Sequence, residues 1–336
     1  TTVSTPQKDE RVKNAGLLVK VLRRPEFGAF LGAIAIFILF ASTDTTHNFA
    51  ALGGIAGWTD IAAPIGIVGI AVALLMIGGE FDLSSGVLVG TTGLLIGMLV
   101  TNVGLDIWSS IAIALVFAAG VGFINGYVVI KTKLPSFIVT LATFFVLKGA
   151  NMAFTKFVTG SVRVTGTEKA AGFDSAQAIF ASKFGAEGFQ ISLIWWLVIT
   201  VIATFVLTRT RFGSRLRASV DDARVAAGLG IRVNLVFAAT FAVGSGLAGL
   251  GGALGAEVLG LDPTFPLKFM VYFLIVVAVG GTSSITGPLW AALLLGIADV
   301  AGKYYMPKLG SFIVYSLMIA ILIWRPQGLF VRKGGR

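Results

Sequence analysis

Residues 209–232, with the sequence RTRFGSRLRASVDDARVAAGLGIR, decide the fold of this chain. They carry six arginines, and the apolar runs at 191–207 and 234–256 flank them. Runs of about 20 apolar residues are long enough to cross a bilayer. Because positive charge resists translocation, a basic segment between two such runs stays in the cytoplasm. The sequence therefore predicts a cytoplasmic loop at 208–232 between two membrane spans.

Within this loop, Val220 to Leu229 has the pattern of a short helix that ends at Gly230. A helix held at the membrane face by two spans is well placed to dock into a groove on a partner. The alternative is a charge cluster that only sets topology, since any multi-span protein needs such loops. The residues expected to couple to a partner are Arg215, Arg217, Asp221, Asp222, Arg224, Ala226, Ala227, Gly228 and Gly230.

The composition indicates an all-α polytopic membrane protein. The chain has 336 residues, of which 56% are hydrophobic and 12% are charged, whereas soluble domains have about 25% charged residues. The 43 glycines suggest closely packed helices, because small residues let helices approach in lipid. The net charge of +10 lies in the segments between apolar runs, so we expect no nucleic-acid partner.

Several kinds of chemistry are excluded by residues that the chain lacks. It has no cysteine and one histidine, His47, so we expect no metal site, no thiol nucleophile and no histidine triad. No GxxxxGK[ST] motif occurs, so we expect the chain to bind no nucleotide cofactor of its own.

The hydropathy pattern predicts about ten spans. They lie at 27–41, 61–77, 87–100, 107–130, 137–151, 191–207, 234–256, 269–279, 289–301 and 311–324. Ten spans place both termini on one side, and 18 of the 26 lysines and arginines then lie inside. The positive-inside rule therefore predicts a cytoplasmic N-terminal tail at 1–24, a transmembrane domain at 25–330 with a long outer loop at 152–190, and a cytoplasmic C-terminal tail at 331–336.

Two glycine pairs suggest broken helices in two related halves. The second apolar run ends at Gly78 and Gly79, and the eighth ends at Gly280 and Gly281, 202 residues later. Transporters often contain related halves whose broken helices face a cavity. The residues expected along a translocation path or gate are Gly78, Gly79, Glu80, Asp82, Asn125, Gly280 and Gly281.

Few ionisable residues lie within apolar runs, and a charge there is costly unless it faces water or a partner. Glu80 and Asp82 could serve in gating or coupling, and Asp82 could instead hold the start of the third span. We expect Lys148 and Asp299 to lie at the membrane interfaces. Asn125 could bind a polar solute or simply hydrogen-bond neighbouring helices.

Five stretches resemble the permeases of bacterial ATP-binding-cassette (ABC) importers. GGEFDLSSG at 78–86 is similar to the signature of ribose- and xylose-type monosaccharide permeases, and LPSFIVTL at 134–141 matches their next segment. The stretch from Phe212 to Ile231 resembles their coupling segment. GGTSSITG at 280–287 and RPQGLF at 325–330 resemble the branched-chain amino acid permeases of the same superfamily.

The resemblance implies a ten-span fold and a mechanism. Two permease subunits, identical or different, would form a path at their interface in the bacterial inner membrane. Two cytoplasmic ATPase subunits that hold ATP and Mg²⁺ would dock onto the loop helices, and an extracytoplasmic binding protein would deliver a small polar solute, most simply a monosaccharide.

Other functions stay open at this stage. The solute could be a branched-chain amino acid, a urea-like amide or a nucleoside. In a different class, an ion-coupled secondary transporter could use Glu80, Asp82 or Asp299 as proton carriers. A membrane enzyme or scaffold is a third class, which the lack of a catalytic cluster disfavours.

Overall fold

The computed structural model describes residues 26–44, 48–161, 164, 166–259, 265–281 and 285–305, and within the last predicted span residues 312, 314–316, 319–320 and 323. The two predicted tails and the RPQGLF stretch lie outside the described residues, as do residues 282–284 of GGTSSITG.

The described chain is almost entirely helical. In chain order its helices are α1 Glu26–Thr43, α2 Leu52–Ile77, α3 Ser84–Met98, α4 Ile107–Thr132, α5 Ser136–Thr159, α6 Phe173–Phe180, α7 Ser192–Arg209, α8 Arg211–Asp221, α9 Ala223–Gly228, α10 Val233–Leu259, α11 Phe265–Gly280 and α12 Thr286–Tyr305. A π-helical turn at Leu99–Val103 extends α3. A short 3₁₀ turn, Thr167–Lys169, precedes α6.

Six helical segments among the described residues are long and apolar enough to cross a membrane. They are Leu52–Ile77, Ser84–Val103, Ile107–Thr132, Ser136–Thr159, Ser192–Arg209 and Val233–Leu254. Two shorter apolar segments, Phe30–Thr43 and Met270–Gly280, accompany them. The all-α membrane class is therefore confirmed, whereas the count of about ten spans and the two related halves stay predictions.

Two helices extend well beyond their predicted limits. α2 starts nine residues before the predicted second span, and α5 continues to Thr159 although the predicted fifth span ends at 151. The predicted outer loop at 152–190 thus begins as helix. It also contains α6 and a two-residue antiparallel hairpin, β1 Lys183–Phe184 with β2 Phe189–Gln190.

α2 and α10 form the centre of the bundle. α2 packs against α10, α11, α12 and α7, and α10 packs against α4 and α3. Glycine makes these crossings close: a Cβ on Gly252 of α10 would clash with the Val89 carbonyl oxygen of α3, and one on Gly122 of α4 would clash with the Phe241 carbonyl oxygen of α10. The glycine content therefore serves helix packing, as the sequence predicts.

Candidate functional site: the glycine break and the basic segment below it

The chain between α2 and α3 reverses at a glycine pair. Gly79 has a φ of +79°, in the left-handed region that favours glycine. The amide of Gly79 donates to the Met76 carbonyl at 3.0 Å, and that of Glu80 donates to the Leu75 carbonyl at 3.0 Å. These two bonds close the helix in the Schellman pattern. The predicted helix interruption at this position is therefore present.

The start of α5 satisfies the backbone that the break exposes. The Ser136 hydroxyl accepts from the Phe81 amide at 3.0 Å, and the Thr140 hydroxyl accepts from the Leu83 amide at 3.1 Å. An unpaired backbone group at this depth would be costly. These two side chains therefore hold the break in one shape.

A buried polar network surrounds Asp82, which is fully buried. Its Oδ1 accepts from the amide and hydroxyl of Ser84 at 2.7 and 2.5 Å, and its Oδ2 accepts from the Ser85 hydroxyl at 2.9 Å. The Ser245 hydroxyl of α10 donates to Oδ2 at 3.2 Å. Asp82 thus holds the start of α3, which is the stabilising role considered from the sequence, and also ties it to α10.

Asn125 extends the network to α4 and α5. Its side-chain amide donates to the Ser84 hydroxyl at 3.0 Å, and its carbonyl oxygen accepts from the Thr143 hydroxyl at 2.6 Å. Asn125 is buried, so in this structure it links helices. It lies seven residues from the end of α4, which places the network roughly 10 Å inside that end.

Glu80 lies apart from this network although it is two residues from Asp82. It is half-buried. Within the described part of the chain its carboxylate makes no hydrogen bond or ion pair.

The second glycine pair also ends its helix at a glycine with a positive φ, although with a different hydrogen bond. The Gly281 amide donates to the Val277 carbonyl at 2.8 Å, and Gly281 has a φ of +80°. Gly280 lies so close to Gly287 and Pro288 that a Cβ would clash with their backbone. α11 and α12 therefore meet at a tight turn, of which residues 282–284 lie outside the described part.

The basic segment folds as two helices, so the predicted single helix from Val220 to Leu229 is wrong. α8 ends at Asp221, and α9 starts at Ala223. Asp222 between them is extended, with a φ of −155°, and its Oδ1 accepts from the Arg224 and Val225 amides at 2.8 and 3.0 Å. An aspartate that caps a helix start in this way must itself lie outside the helix, which explains the break.

The predicted end of the segment at Gly230 is present. Gly230 has a φ of +81°. Its amide donates to the Ala227 carbonyl at 3.0 Å, and the Ile231 amide donates to the Ala226 carbonyl at 3.1 Å. Ala226 is buried, whereas the other predicted coupling residues are exposed.

α8 packs directly against the first glycine break, the turn at Gly78 and Gly79. Leu216 is fully buried, and a Cβ placed on Gly78 would lie 3.4 Å from its Cδ1. A Cβ on Gly79 would lie 3.9 Å from Cγ1 of Val220. On the other side of α8, the Arg217 guanidinium donates to the Leu207 carbonyl at the end of α7. The basic segment is therefore packed against the site and does not hang free as a loop.

The structure corrects the expected position of one of two charged residues. Asp299 lies six residues before the end of α12 and is fully buried within the protein, where it accepts from the Tyr272 hydroxyl at 2.6 Å and pairs with Lys303 at 2.5 Å; its place at a membrane interface stays a prediction. Lys148 lies midway along α5 rather than near a helix end.

The sequence reasoning missed the hydroxyl residues of the network and the role of Leu216. Ser245, Thr140 and Thr143 lie far from Asp82 in the chain, and no local pattern marks them. The buried residues of α8 are Gly213, Leu216 and Ser219, and their spacing of three along one helical face is the signal that marks its packed side. Among the described residues, no group of three or more acidic or histidine side chains could hold a metal ion.

Comparisons with known proteins identify the family. The family model described as "Branched-chain amino acid transport system / permease component" matches residues 54–322. The chain is 27% identical over 290 residues to the fructose import permease protein FrcC of Rhizobium meliloti, which covers 84% of this chain and 75% of that protein. It is 25% identical over 319 residues to the autoinducer 2 import system permease protein LsrD of Salmonella paratyphi A, covering 91% and 93%.

A third relative is the autoinducer 2 import system permease protein LsrC of Yersinia enterocolitica, 26% identical over 280 residues that cover 81% of this chain and 73% of that protein. No solved structure matches the chain. The family match covers most of the sequence and contains both glycine breaks and the whole basic segment. The chain therefore belongs to the permease-component family of the branched-chain amino acid transport type, together with permeases of sugar-type ABC importers.

Proposed function

We propose that this chain imports a small hydroxylated solute of the monosaccharide type, driven by separate ATPase subunits that dock on α8 and α9. The ATPases bind ATP with Mg²⁺ and hydrolyse it, and this chain has no catalytic site of its own. A second permease subunit, identical or different, completes the path, and an extracytoplasmic binding protein delivers the solute.

The single observation that carries the proposal is the packing of Leu216 against Gly78. Leu216 is fully buried against the turn that ends α2 and starts α3. A force applied to α8 is therefore transmitted to the ends of both helices, because packed interiors transmit displacement rather than absorb it.

The outer surface of this basic segment supports docking of a partner. Val225 and Leu229 are 60% and 76% exposed, although they lie outside the membrane-length helices. Arg215 and Arg224 are exposed beside them. Exposed apolar side chains on a short helix, flanked by charge, suit a helix-in-groove interface.

The orientation follows from the same segment. With its six arginines, residues 208–232 belong on the cytoplasmic side of the inner membrane, and both termini lie on that side. The ATPases are cytoplasmic, so their docking requires this orientation.

The solute class rests on the relatives. Their names assign fructose and autoinducer 2 to them, and none of these names favours an amino acid, an amide or a nucleoside. A hydroxylated solute also fits a chain whose polar interior consists of hydroxyl, amide and few charged groups. We propose that the two glycine breaks, with Glu80 and Asp82, border its path.

The test is uptake of radiolabelled monosaccharides by vesicles that contain this chain together with the ATPase subunit that copurifies with it. We expect uptake that requires ATP inside and stops when the ATPase subunit is omitted. Uptake at the full rate without the ATPase, or uptake that only an ion gradient drives, would refute the proposal.

A further inference from the structure

Lys148 carries a charge at the middle of a membrane-length helix. It lies twelve residues after the start of α5 and eleven before its end. At about 1.5 Å per residue this is roughly 16–18 Å from either end of the helix. The hydrocarbon core of a bilayer is about 30 Å thick, so Lys148 lies close to its midplane.

The described part of the chain offers Lys148 no partner. Lys148 is half-buried as a whole residue, and its ammonium makes no hydrogen bond or ion pair with the described residues. α3 and α4, the helices that pack most closely against α5, contain no aspartate or glutamate. Its charge is therefore not neutralised by the neighbouring helices.

Lipid cannot surround this side chain at low cost. A lysine near a helix end extends its four-carbon stem to the interface, and Lys156, three residues before the end of α5, can do so. From the midplane the same stem falls short of the interface. Intramembrane charges of this kind face water or a partner.

Lys148 lies at the edge of the α5 face that packs into the bundle. Phe144, four residues before it, and Thr155, seven residues after it, share its side of the helix, and both are fully buried. Val146 is 68% exposed but projects from the other side of α5, because two residues are separated by about 200° around a helix.

We propose that Lys148 lines the solute path and donates hydrogen bonds from its ammonium to the oxygen atoms of the solute. An ammonium has three donors and no acceptor, so it binds hydroxyl, carboxylate or phosphate oxygens and repels cations. The inference rests on the proposed function and adds a residue that binds and selects the solute.

The absence of cysteine from these 336 residues permits a direct test of exposure to water. Single-cysteine variants Lys148→Cys, Val146→Cys and Lys156→Cys are expressed with the whole importer and treated with a charged, membrane-impermeant methanethiosulfonate. Because that reagent needs an ionised thiol in water, we expect position 148 to react at least tenfold faster than position 146. Position 156, near the helix end, is the reactive control. Equal, slow reaction at 148 and 146 would overturn the inference.

A transport experiment tests the chemistry. We measure ATP-driven uptake of labelled D-fructose and D-ribose by Lys148→Met, Lys148→Arg and Lys156→Met complexes that assemble with the ATPase in equal amounts. In Lys148→Met the rate of uptake should fall at least tenfold and the KM should rise. Lys148→Arg should keep most of the wild-type uptake rate, and Lys156→Met should match the wild type.

The two proposals fail in different ways. If the wild type takes up sugar but Lys148→Met does so equally well, the role of Lys148 is wrong and the proposed function stands. If the wild type takes up neither sugar, the sugar-type function fails, and the reactivity of position 148 still decides whether it lines a water-filled path.

Discussion

Replacing Leu216 by alanine should uncouple ATP hydrolysis from solute movement. Leu216 is fully buried between α8 and the turn at Gly78, in the same apolar cluster as Leu207 and Val236. Truncating a buried leucine to alanine costs about 2–5 kcal/mol, since the cavity collapses only in part. The removed atoms are those that touch the break, so the loss falls on the contact between α8 and α2.

The size of the effect follows from that cost. A loss of about 3 kcal/mol changes the equilibrium between docked and undocked α8 by roughly 100-fold. The ATPase should still bind, because the exposed residues of α9 are untouched. Hydrolysis then continues while the displacement no longer reaches the ends of α2 and α3.

The assay measures ATP hydrolysis and solute uptake in the same vesicles. We expect the solute moved per ATP to fall at least tenfold in Leu216→Ala. Leu216→Met conserves volume and should cost under about 1.5 kcal/mol, so its ratio should stay near the wild-type value. Leu235→Ala, which shortens a leucine 53% exposed on α10, is the matched surface control. An unchanged ratio in a Leu216→Ala complex that contains the full amount of ATPase would refute the role of this contact.

Three further variants test the packing around the break and the basic segment. Asp82→Ala removes the acceptor of four hydrogen bonds, so we expect the free energy of unfolding, measured by thermal unfolding in detergent, to fall by about 3 kcal/mol. Ser245→Ala removes one of these bonds and should lower it by about 1 kcal/mol. Equal melting temperatures for both variants and the wild type would contradict the network. Gly252→Ala places a Cβ on the backbone of α3 and should cost about 1–3 kcal/mol, whereas Gly246→Ala, whose Cβ would lie 3.7 Å from Ala119, should be nearly neutral; similar losses at both positions would argue against the close crossing. Asp222→Ala removes the cap of α9 and should lower the stability of that helix by about 0.5–2 kcal/mol. We expect faster amide hydrogen exchange confined to α9, whereas Asp222→Asn should exchange like the wild type. Unchanged exchange in the alanine variant would exclude the cap.

The glycine turns could be predicted from the sequence because they depend on local chemistry. Gly79, Gly230 and Gly281 all have positive φ angles, and each follows an apolar or helical run. Only glycine adopts that conformation at low cost. A paired glycine after such a run is therefore a signal that needs no knowledge of distant residues.

The basic segment was predicted only in part. Three arginines lie in α8, so its sequence has the composition of a polar loop, and of its buried residues Gly213, Leu216 and Ser219 only Leu216 is a large apolar one. Asp222 looks like a helix residue until its side chain is seen to cap the next helix. The charge pattern thus predicts the location of the segment but not its division or its packing.

The site around Asp82 depends on contacts between distant parts of the chain. Ser245 is 163 residues away and Thr140 is 58, so no local pattern brings them together. The sequence predicts Lys148 near an interface because the predicted fifth span ends at Asn151, before the polar residues Thr155 and Lys156. The helix continues through them, since Asn151 donates to Thr91 of α3 at 2.9 Å and Thr155 is buried.

The central claim is that α8 and α9 receive the ATPase on the cytoplasmic face. Leu229, 76% exposed at the end of α9, is the place for a single cysteine, whereas Ser219 is buried. A Leu229→Cys variant is treated with an impermeant maleimide in intact cells and in inside-out vesicles, and then with a maleimide photo-crosslinker in the assembled complex. The account predicts labelling only in inside-out vesicles and a crosslink to the ATPase subunit. Labelling from outside intact cells would contradict it.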